Sequence, residues 1–303
     1  MNRYSRLLIV VLGLWGCLPA LAFDGIRLTL LGAGSVGPGV DRPGPAALVE
    51  AGAEVMLFDC GAGTLGLLRQ SGVPVRDLTA VFLTSLDPAH IAGCAELVRQ
   101  REQLGMEEPL PIWGPNGTAE LINAWHGTGH APKPGDAIAS QIVENIVYRT
   151  DDATVTAFVA DFPPQKQAYG YRVDQQRRAI ALLAGTRYTD NVAHGAQGVQ
   201  VLVHEAVAAD PQYASRDPAA QAAMESQTSP EESARLFRGA HPQLAIYSRL
   251  RLFGVSEEDA VRRTRRYYGG ALEVGRDPMI VEIQNEVQLR SAPSDGRRIE
   301  PEH

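Results

Sequence analysis

The sequence is short of positive charge, of cysteine and of long apolar runs, and each shortage narrows what the chain can do. Over 303 residues it carries 28 Lys and Arg against 35 Asp and Glu, a formal net charge of −7. Proteins that grip phosphate backbones need an electropositive footprint, so nucleic acid is not expected as a partner. Cysteine occurs three times, at Cys17, Cys60 and Cys94. The longest apolar block, Leu7 to Trp15, is too short to span a bilayer.

That block has a different reading. Arg3 and Arg6 precede it, and Ala20-Leu21-Ala22 follows it, which is the order of a signal peptide with an A-x-A cleavage site. Residues 1–22 are therefore expected to be removed after Ala22, leaving a periplasmic or secreted protein without a membrane span. A lipobox-like Leu14-Trp15-Gly16-Cys17, with a lipid anchor at Cys17, is the alternative. Loss of the two arginines takes the net charge from −7 to −9. In an exported chain Cys60 and Cys94 either pair as a disulfide or lie buried as two small side chains.

What is present is an alternation of short apolar strands and helices. With 45% hydrophobic and 21% charged residues the chain can bury a sizeable core. Strands are expected at Ile26–Leu31, Ala46–Val49, Glu54–Phe58, Val81–Leu83, Leu110–Trp113, Ile142–Val147, Ala153–Val159, Gly170–Val173, Ala179–Leu183, Val199–Val203, Gln243–Tyr247, Ala271–Val274 and Met279–Ile283. Helices are expected at Leu65–Arg69, Ala92–Leu104, Thr118–Ala124, and after the capping sequences Ser229-Pro230-Glu231-Glu232 and Ser256-Glu257-Glu258-Asp259. Gly32-Ala33-Gly34-Ser35-Val36-Gly37 matches a dinucleotide fingerprint, but Pro38, Pro43 and Pro45 forbid the helix that fingerprint must open. His126 and His130 fall in a stretch, Trp125 to Asp136, that reads as a solvated loop. The Arg262, Arg263, Arg265 and Arg266 cluster reads as a solvated helix face. The tail from residue 289 to 303 reads as disordered. No linker divides the chain, so residues 23–288 form one α/β domain.

Eight landmarks in order carry a resemblance: L-L-G-A-G-S, L-F-D-C-G-A-G-T, L-T-S-L-D-P-A-H-I-A-G, W-G-P-N-G-T, D-F-P-P-Q-K-Q-A-Y-G-Y-R, L-A-G-T-R, V-H-E-A and R-Y-Y-G-G-A-L-E-V-G-R-D-P-M. Over about Ile26 to Ile283 the chain resembles the metallo-β-lactamase superfamily and its ribonuclease Z-like branch. The resemblance implies a four-layer αββα sandwich with one or two zinc ions at one edge, activating a water as nucleophile. It also implies the ligands: T-H-x-H-x-D-H, a later His, an Asp in G-D-T and a last His. In this sequence those positions read Ser85, Asp87, Ala89, His90, Phe162, Gly185 and Arg249, with Ser248 the alternative for the last. Only His90 keeps the family's residue. Ala89, Phe162 and Gly185 offer no side-chain lone pair, and a permanent cation at Arg249 repels a dication. No metal cofactor is expected; Asp87 and His90 are the remaining weak candidates.

His204-Glu205 stands as in the family's H-E-A-T element, either as a residual acid/base pair or as a structural one. The later His-Thr element reads Gln227-Thr228, and Asp59 keeps the F-D-x-G turn. Only 23 positions separate Phe162 from Gly185, too few for the RNA-clamping arm of ribonuclease Z enzymes. An Arg249–carboxylate pair, with Asp87 or Asp59, is one way to fill the hole left by zinc; a guanidinium there binding an anion is another. The expected function is that of a non-catalytic binding or regulatory pseudoenzyme acting on a small ligand or a protein, with homodimers possible by family analogy. A divergent hydrolase of an ester, phosphodiester or lactam with an improvised site is the alternative.

Overall fold

The computed structural model describes residues 23–37, 42–126, 137–142, 145–162 and 165–291; the expected signal peptide, His130 and the last twelve residues lie outside them. The first half runs β1 (Phe23–Leu31), β2 (Gly34–Val36), β3 (Ala46–Gly52), β4 (Glu54–Phe58), α1 (Thr64–Gln70), β5 (Ala80–Phe82), α2 (Pro88–Ile91), α3 (Cys94–Gln103), β6 (Leu110–Gly114), α4 (Thr118–His126), β7 (Ala137–Gln141) and β8 (Asn145–Arg149). The second half runs β9 (Thr154–Phe162), β10 (Gln165–Gln175), β11 (Arg178–Gly185), α5 (Asp190–Gly195), β12 (Val201–Ala209), α6 (Pro211–Ala214), α7 (Pro218–Ser226), α8 (Pro230–Ala240), β13 (Leu244–Phe253), α9 (Glu257–Arg265), β14 (Leu272–Val274), β15 (Met279–Ile283) and β16 (Val287–Ser291).

Two mixed sheets pack face to face. The first has the order β16-β15-β1-β3-β4-β5-β6-β7 and the second β14-β13-β12-β11-β10-β9-β8, with β2 paired to β13. Three apolar clusters show the four layers. One, including Leu28, Met56, Phe82, Tyr171, Ile180 and Val203, fills the space between the sheets. A second packs α5, α8 and α9 on the outer face of the second sheet through Val192, Phe237 and Ala260. The third packs α1, α3 and α4 on the first through Leu68, Leu97 and Ile122. The αββα sandwich is thus present, and the parallel strands β4-β5-β6 and β11-β12-β13 open their carboxyl ends toward one edge. Ligand sites of open α/β sheets lie at such ends.

Both expected capping boxes form: Ser229 with Glu232 on α8, and Ser256 with Asp259 on α9. The Gly32–Gly37 stretch opens no helix; Gly34–Val36 pairs in parallel with β13 instead. Several elements depart from expectation. The Ala92–Leu104 helix begins earlier and splits into α2 and α3, with Gly93 between them. Gly93 has no room for a side chain, because a Cβ there would meet the Cys60 carbonyl at 3.1 Å and the Gly61 backbone closer still. The Ile142–Val147 strand is replaced by β7 and β8 on either side of Ile142. The loop expected from Trp125 starts later: α4 runs through His126, whose Nδ1 meets the Glu102 carboxylate on α3 at 2.8 Å, a tertiary contact that outweighs the helix-breaking glycines just beyond. Residues 289–291 are not tail but part of β16, paired to β15.

The largest difference concerns β12 and β13. Val199–Val203 and Gln243–Tyr247 were expected as short strands ending at their first polar residues. Both continue, to Ala209 and Phe253, because β12 is flanked on both sides and every one of its residues is buried. Such a strand tolerates internal polar residues only if they find partners. His204 and Glu205 therefore sit in mid-strand rather than on a loop.

Cys60 and Cys94, 34 positions apart in the sequence, are joined, with their Cα atoms 5.2 Å apart. The bond ties the loop after β4 to the start of α3. Closing a loop of that length restricts the unfolded chain by about 4 kcal/mol in the chain-entropy treatment. The Cys60→Ala/Cys94→Ala variant is expected to lose about 2–4 kcal/mol in urea unfolding; an unchanged midpoint would show that the bond does not form in the folded protein.

Candidate functional site

Asp59 follows β4 directly and adopts a left-handed backbone, φ 57°, which Asp tolerates better than most residues. That turn aims its carboxylate into the edge of the sandwich, where it is fully engaged. Oδ1 accepts from the Thr84 backbone N–H at 2.8 Å and Oδ2 accepts from the Thr84 hydroxyl at 2.8 Å. Oδ2 also accepts from His90 Nδ1 at 2.8 Å. The other ring nitrogen of His90, Nε2, stands 4.0 Å from Glu205 Oε2 on the opposite sheet. All three side chains are buried. Burial alone would hold His90 low, but Asp59 and Glu205 outweigh it and raise its pKa from 6.5 to about 9. Burial pushes the Glu205 carboxyl up, against the opposing pull of His90, Arg249 and the Gly185 N–H.

The other sequence-derived positions fall into distinct roles. Ser85 is fully buried and its hydroxyl accepts from the Asp87 N–H at 3.3 Å. Asp87 is the N-cap of α2, its carboxylate accepting from the Ala89 N–H at 2.9 Å. Ala89 is exposed on α2. Phe162 ends β9, and its side chain lies outside the described residues. Gly185 ends β11 in register with Glu205, and a Cβ placed on it would meet the side chain of Gln227, with atoms at 2.5 to 2.9 Å. The space of a residue-185 side chain is thus taken by the amide of Gln227.

Arg249 stands in register with Glu205, while Tyr247 pairs with His204; the extra residue, Ser248, forms a bulge. A bulge breaks the two-residue alternation and re-aims side chains. Ser248 consequently lines a cavity of about 40 Å³ between the sheets, together with Asp59, Thr84 and Glu205, while Arg249 also stands level with Glu205. Arg249 donates to the Pro43 carbonyl at 3.2 Å. It acts electrostatically on Glu205 and on Asp277, whose carboxylate accepts from the Ala33 N–H. Of the carboxylates weighed from sequence, Asp87 caps a helix and Asp59 serves His90 and Thr84, so Glu205 is the one in register with Arg249.

His204 and Glu205 point to opposite faces of β12. His204 is enclosed under α8, edge-on to Phe237 with ring centroids 6.2 Å apart. Its Nε2 meets the Thr228 hydroxyl and its Nδ1 is buried without a partner among the described residues. Burial drops its pKa to about 3, so it is neutral. His204 and Glu205 do not act on one substrate atom. Two contributors were not singled out from the sequence, Asp277 and Arg251, and Gln227 was read there only as the residue standing at the family's later His. Only Arg251 left a signal, as the second member of an Arg-x-Arg pair on a strand, where alternate residues share a face.

A family model, the β-lactamase superfamily domain, matches residues 55–248. The chain belongs to that superfamily. This superfamily member is 32% identical over 200 residues to a ribonuclease Z of Mycobacterium bovis, covering 61% of the chain and 71% of that enzyme, which supports the ribonuclease Z-like branch. Among solved structures it resembles the metallo-β-lactamase fold protein YhfI of Bacillus subtilis, with a TM-score of 0.70 at 20% identity over 86% of this chain and all of that one. It also resembles the short form of human tRNase Z, with a TM-score of 0.65 at 19% identity over 84% and 98% of the two chains. These structural likenesses speak for the fold alone.

The paired charges predict a pH dependence. His90 has a raised folded pKa, so its stabilisation is complete below about 6.5 and is lost as pH rises through about 9. His204 has a lowered one, so its contribution is present above about 6.5 and is lost as pH falls toward about 3. Denaturant unfolding from pH 6.5 to 9 is expected to show a decline of up to about 3 kcal/mol that His90→Gln abolishes. A His90→Gln variant with the wild-type slope would contradict the assignment.

Proposed function

We propose that this protein is an exported, non-catalytic member of the superfamily that works by binding, with the metal site rebuilt as a packed polar seam. The observation that carries this reading is the side chain of Gln227 filling the space over Gly185, where the family's G-D-T motif carries a ligand. The donor set as a whole does not fit the zinc ion that the family implies. Of the family's ligand positions only His90 keeps an imidazole, its Nδ1 bonded to Asp59 and its Nε2 4.0 Å from Glu205. Asp87 is committed to the start of α2, and Arg249 places a fixed positive charge level with Glu205. Among the described residues no three His, Cys, Asp or Glu side chains converge as a metal site.

The Cys60–Cys94 bond supports export, since such bonds persist in oxidising compartments. The acidic net charge of −7 goes with a partner other than nucleic acid. A second reading, a divergent hydrolase of an ester, phosphodiester or lactam, draws on one observation. Glu205 lines the cavity with His90 4.0 Å away, and two titratable groups whose surroundings shift them are a common acid/base arrangement.

Elemental analysis of the purified chain, paired with hydrolysis assays on a generic ester, a phosphodiester and a lactam, separates the readings. Substoichiometric zinc without turnover is expected. One tightly held zinc per chain, or turnover abolished by Glu205→Gln, would overturn the proposal. Restoring a single carboxylate should not help: Gly185→Asp is expected to destabilise the fold by about 1–3 kcal/mol through its clash with Gln227, without raising zinc content.

A further inference from the structure

The edge of the sandwich opposite Gly185 and Glu205, where β11, β12 and β13 begin, holds a larger opening. Arg178 at that edge and Gly185 at the other are the two ends of β11, about 23 Å apart along the strand. A pocket of about 360 Å³ is lined there by the β10–β11 turn at Gln176, Arg177 and Arg178, by Gln200 before β12 and by Gln243 before β13. The β15–β16 turn, at residues 284–286, completes it beside Ile283. Both sheets contribute to the lining. The volume lies within the range of about 300–1,000 Å³ that small-molecule sites occupy.

Some polar groups of the pocket pin its walls. Arg178 donates from Nε to the Gln284 carbonyl at 2.9 Å and from Nη1 to the Asp24 carboxylate at 3.2 Å. These bonds tie the two turns together and offset the charge of Arg178. The Gln200 side chain accepts from the Ala179 N–H at 2.6 Å and donates to the Arg177 carbonyl at 3.2 Å. The Gln284 N–H closes its turn on the Glu286 carbonyl at 3.2 Å. Other polar groups on the same walls are left over. Among the described residues, the side chains of Arg177, Gln243, Gln284, Asn285 and Glu286 make no hydrogen bond or ion pair, and neither does Nη2 of Arg178.

The chemistry of these groups selects a ligand. The amides of Gln243, Gln284 and Asn285 each donate and accept, which matches hydroxyl groups that do the same. Arg177 and Glu286 bring one charge of each sign and Asp24 offsets Arg178, so no surplus charge favours an ion. The described lining holds one carboxylate, Glu286, and one aliphatic side chain, Ile283, too few for a bound cation or a lipid chain. An extended peptide pairs with a free strand edge, whereas these residues stand in turns and at strand starts.

We infer that this pocket binds a neutral sugar, a mono- or disaccharide, through Arg177, Gln243, Gln284, Asn285 and Glu286, with Arg178 as a fixed donor. Sugar binding here is independent of whether the Glu205 edge is silent or hydrolytic, because the two sites lie at opposite ends of the strands.

The test is calorimetric titration of the disulfide-bonded chain with glucose, galactose, N-acetylglucosamine and maltose, with glucose 6-phosphate and triglycine as comparisons. At least one neutral sugar should bind at millimolar concentration, ahead of both comparisons. Gln243→Ala and Asn285→Ala should each weaken that sugar about fivefold, the worth of one neutral hydrogen bond. Both positions are exposed, so each variant should keep its Tm within about 2 °C; a structural role would lower Tm and spare affinity. Absence of binding by every sugar in the panel, wild-type affinity in both variants, or tighter binding of glucose 6-phosphate or triglycine would each overturn the inference.

Discussion

The hydrogen bond from His90 to Asp59 organises the edge of the sandwich. Asp59 takes three hydrogen bonds on its carboxylate, two from Thr84 after β5 and one from His90 on α2, and its backbone N–H bonds to the Phe82 carbonyl. One side chain thereby fixes the relation of two strand ends and a helix. The Cys60 N–H bonds to the His90 carbonyl at 2.9 Å, and the disulfide from Cys60 holds α3 against the same loop. A buried carboxylate is tolerable only with this degree of compensation. An imidazole that donates from Nδ1 to a carboxylate normally has Nε2 released for a metal, but Glu205 faces Nε2 from the other sheet, and the pair of carboxylates favours the imidazolium.

The second sheet answers this charge with its own. Glu205 is buried in the middle of β12, where a lone carboxylate would be costly, and it lies between His90 in front and Arg249 beside it. The bulge at Ser248 makes this possible by turning residue 249 to the side that Glu205 occupies. Without the extra residue the alternation of β13 would send that guanidinium toward α8 and the apolar cluster around Phe237. Arg249 is therefore placed by backbone geometry as well as by charge, and Arg251 inherits the same face.

Much of this was legible in the sequence, and the illegible part has a physical pattern. The layers, the capping boxes on α8 and α9, and the failure of Gly32–Gly37 to open a helix follow from apolar periodicity and proline placement, which are local. The order of the family's landmarks was readable because motif order survives substitution. The lengths of β12 and β13 were not, because burial between neighbouring strands overrode the polar residues that looked like strand ends. Nor was the division of His204 from Glu205: adjacent polar residues look like a pair in sequence, yet on a strand they face opposite layers. The filling of Gly185 by Gln227 is a contact across 42 positions, and the side chains themselves, one without a Cβ and one an amide, advertise nothing. The state of Cys60 and Cys94 was likewise open until their Cα atoms could be placed 5.2 Å apart.

Loss of a metal site by drift should leave gaps: missing side chains, unpaired charges and water-filled holes. The edge described here has few of these. Where a side chain is absent, at Gly185, a neighbour occupies the volume. Where a histidine persists, at His90, both ring nitrogens face carboxylates. Where a cation has entered, at Arg249, an acceptor and two carboxylates surround it. Each change is matched by another on a different element, and matched changes keep buried polar groups tolerable. Two buried side-chain atoms near this edge, Gln227 Oε1 and His204 Nδ1, remain without a hydrogen-bond partner among the described residues. Matched changes of this kind are what the binding reading proposed above requires of the edge.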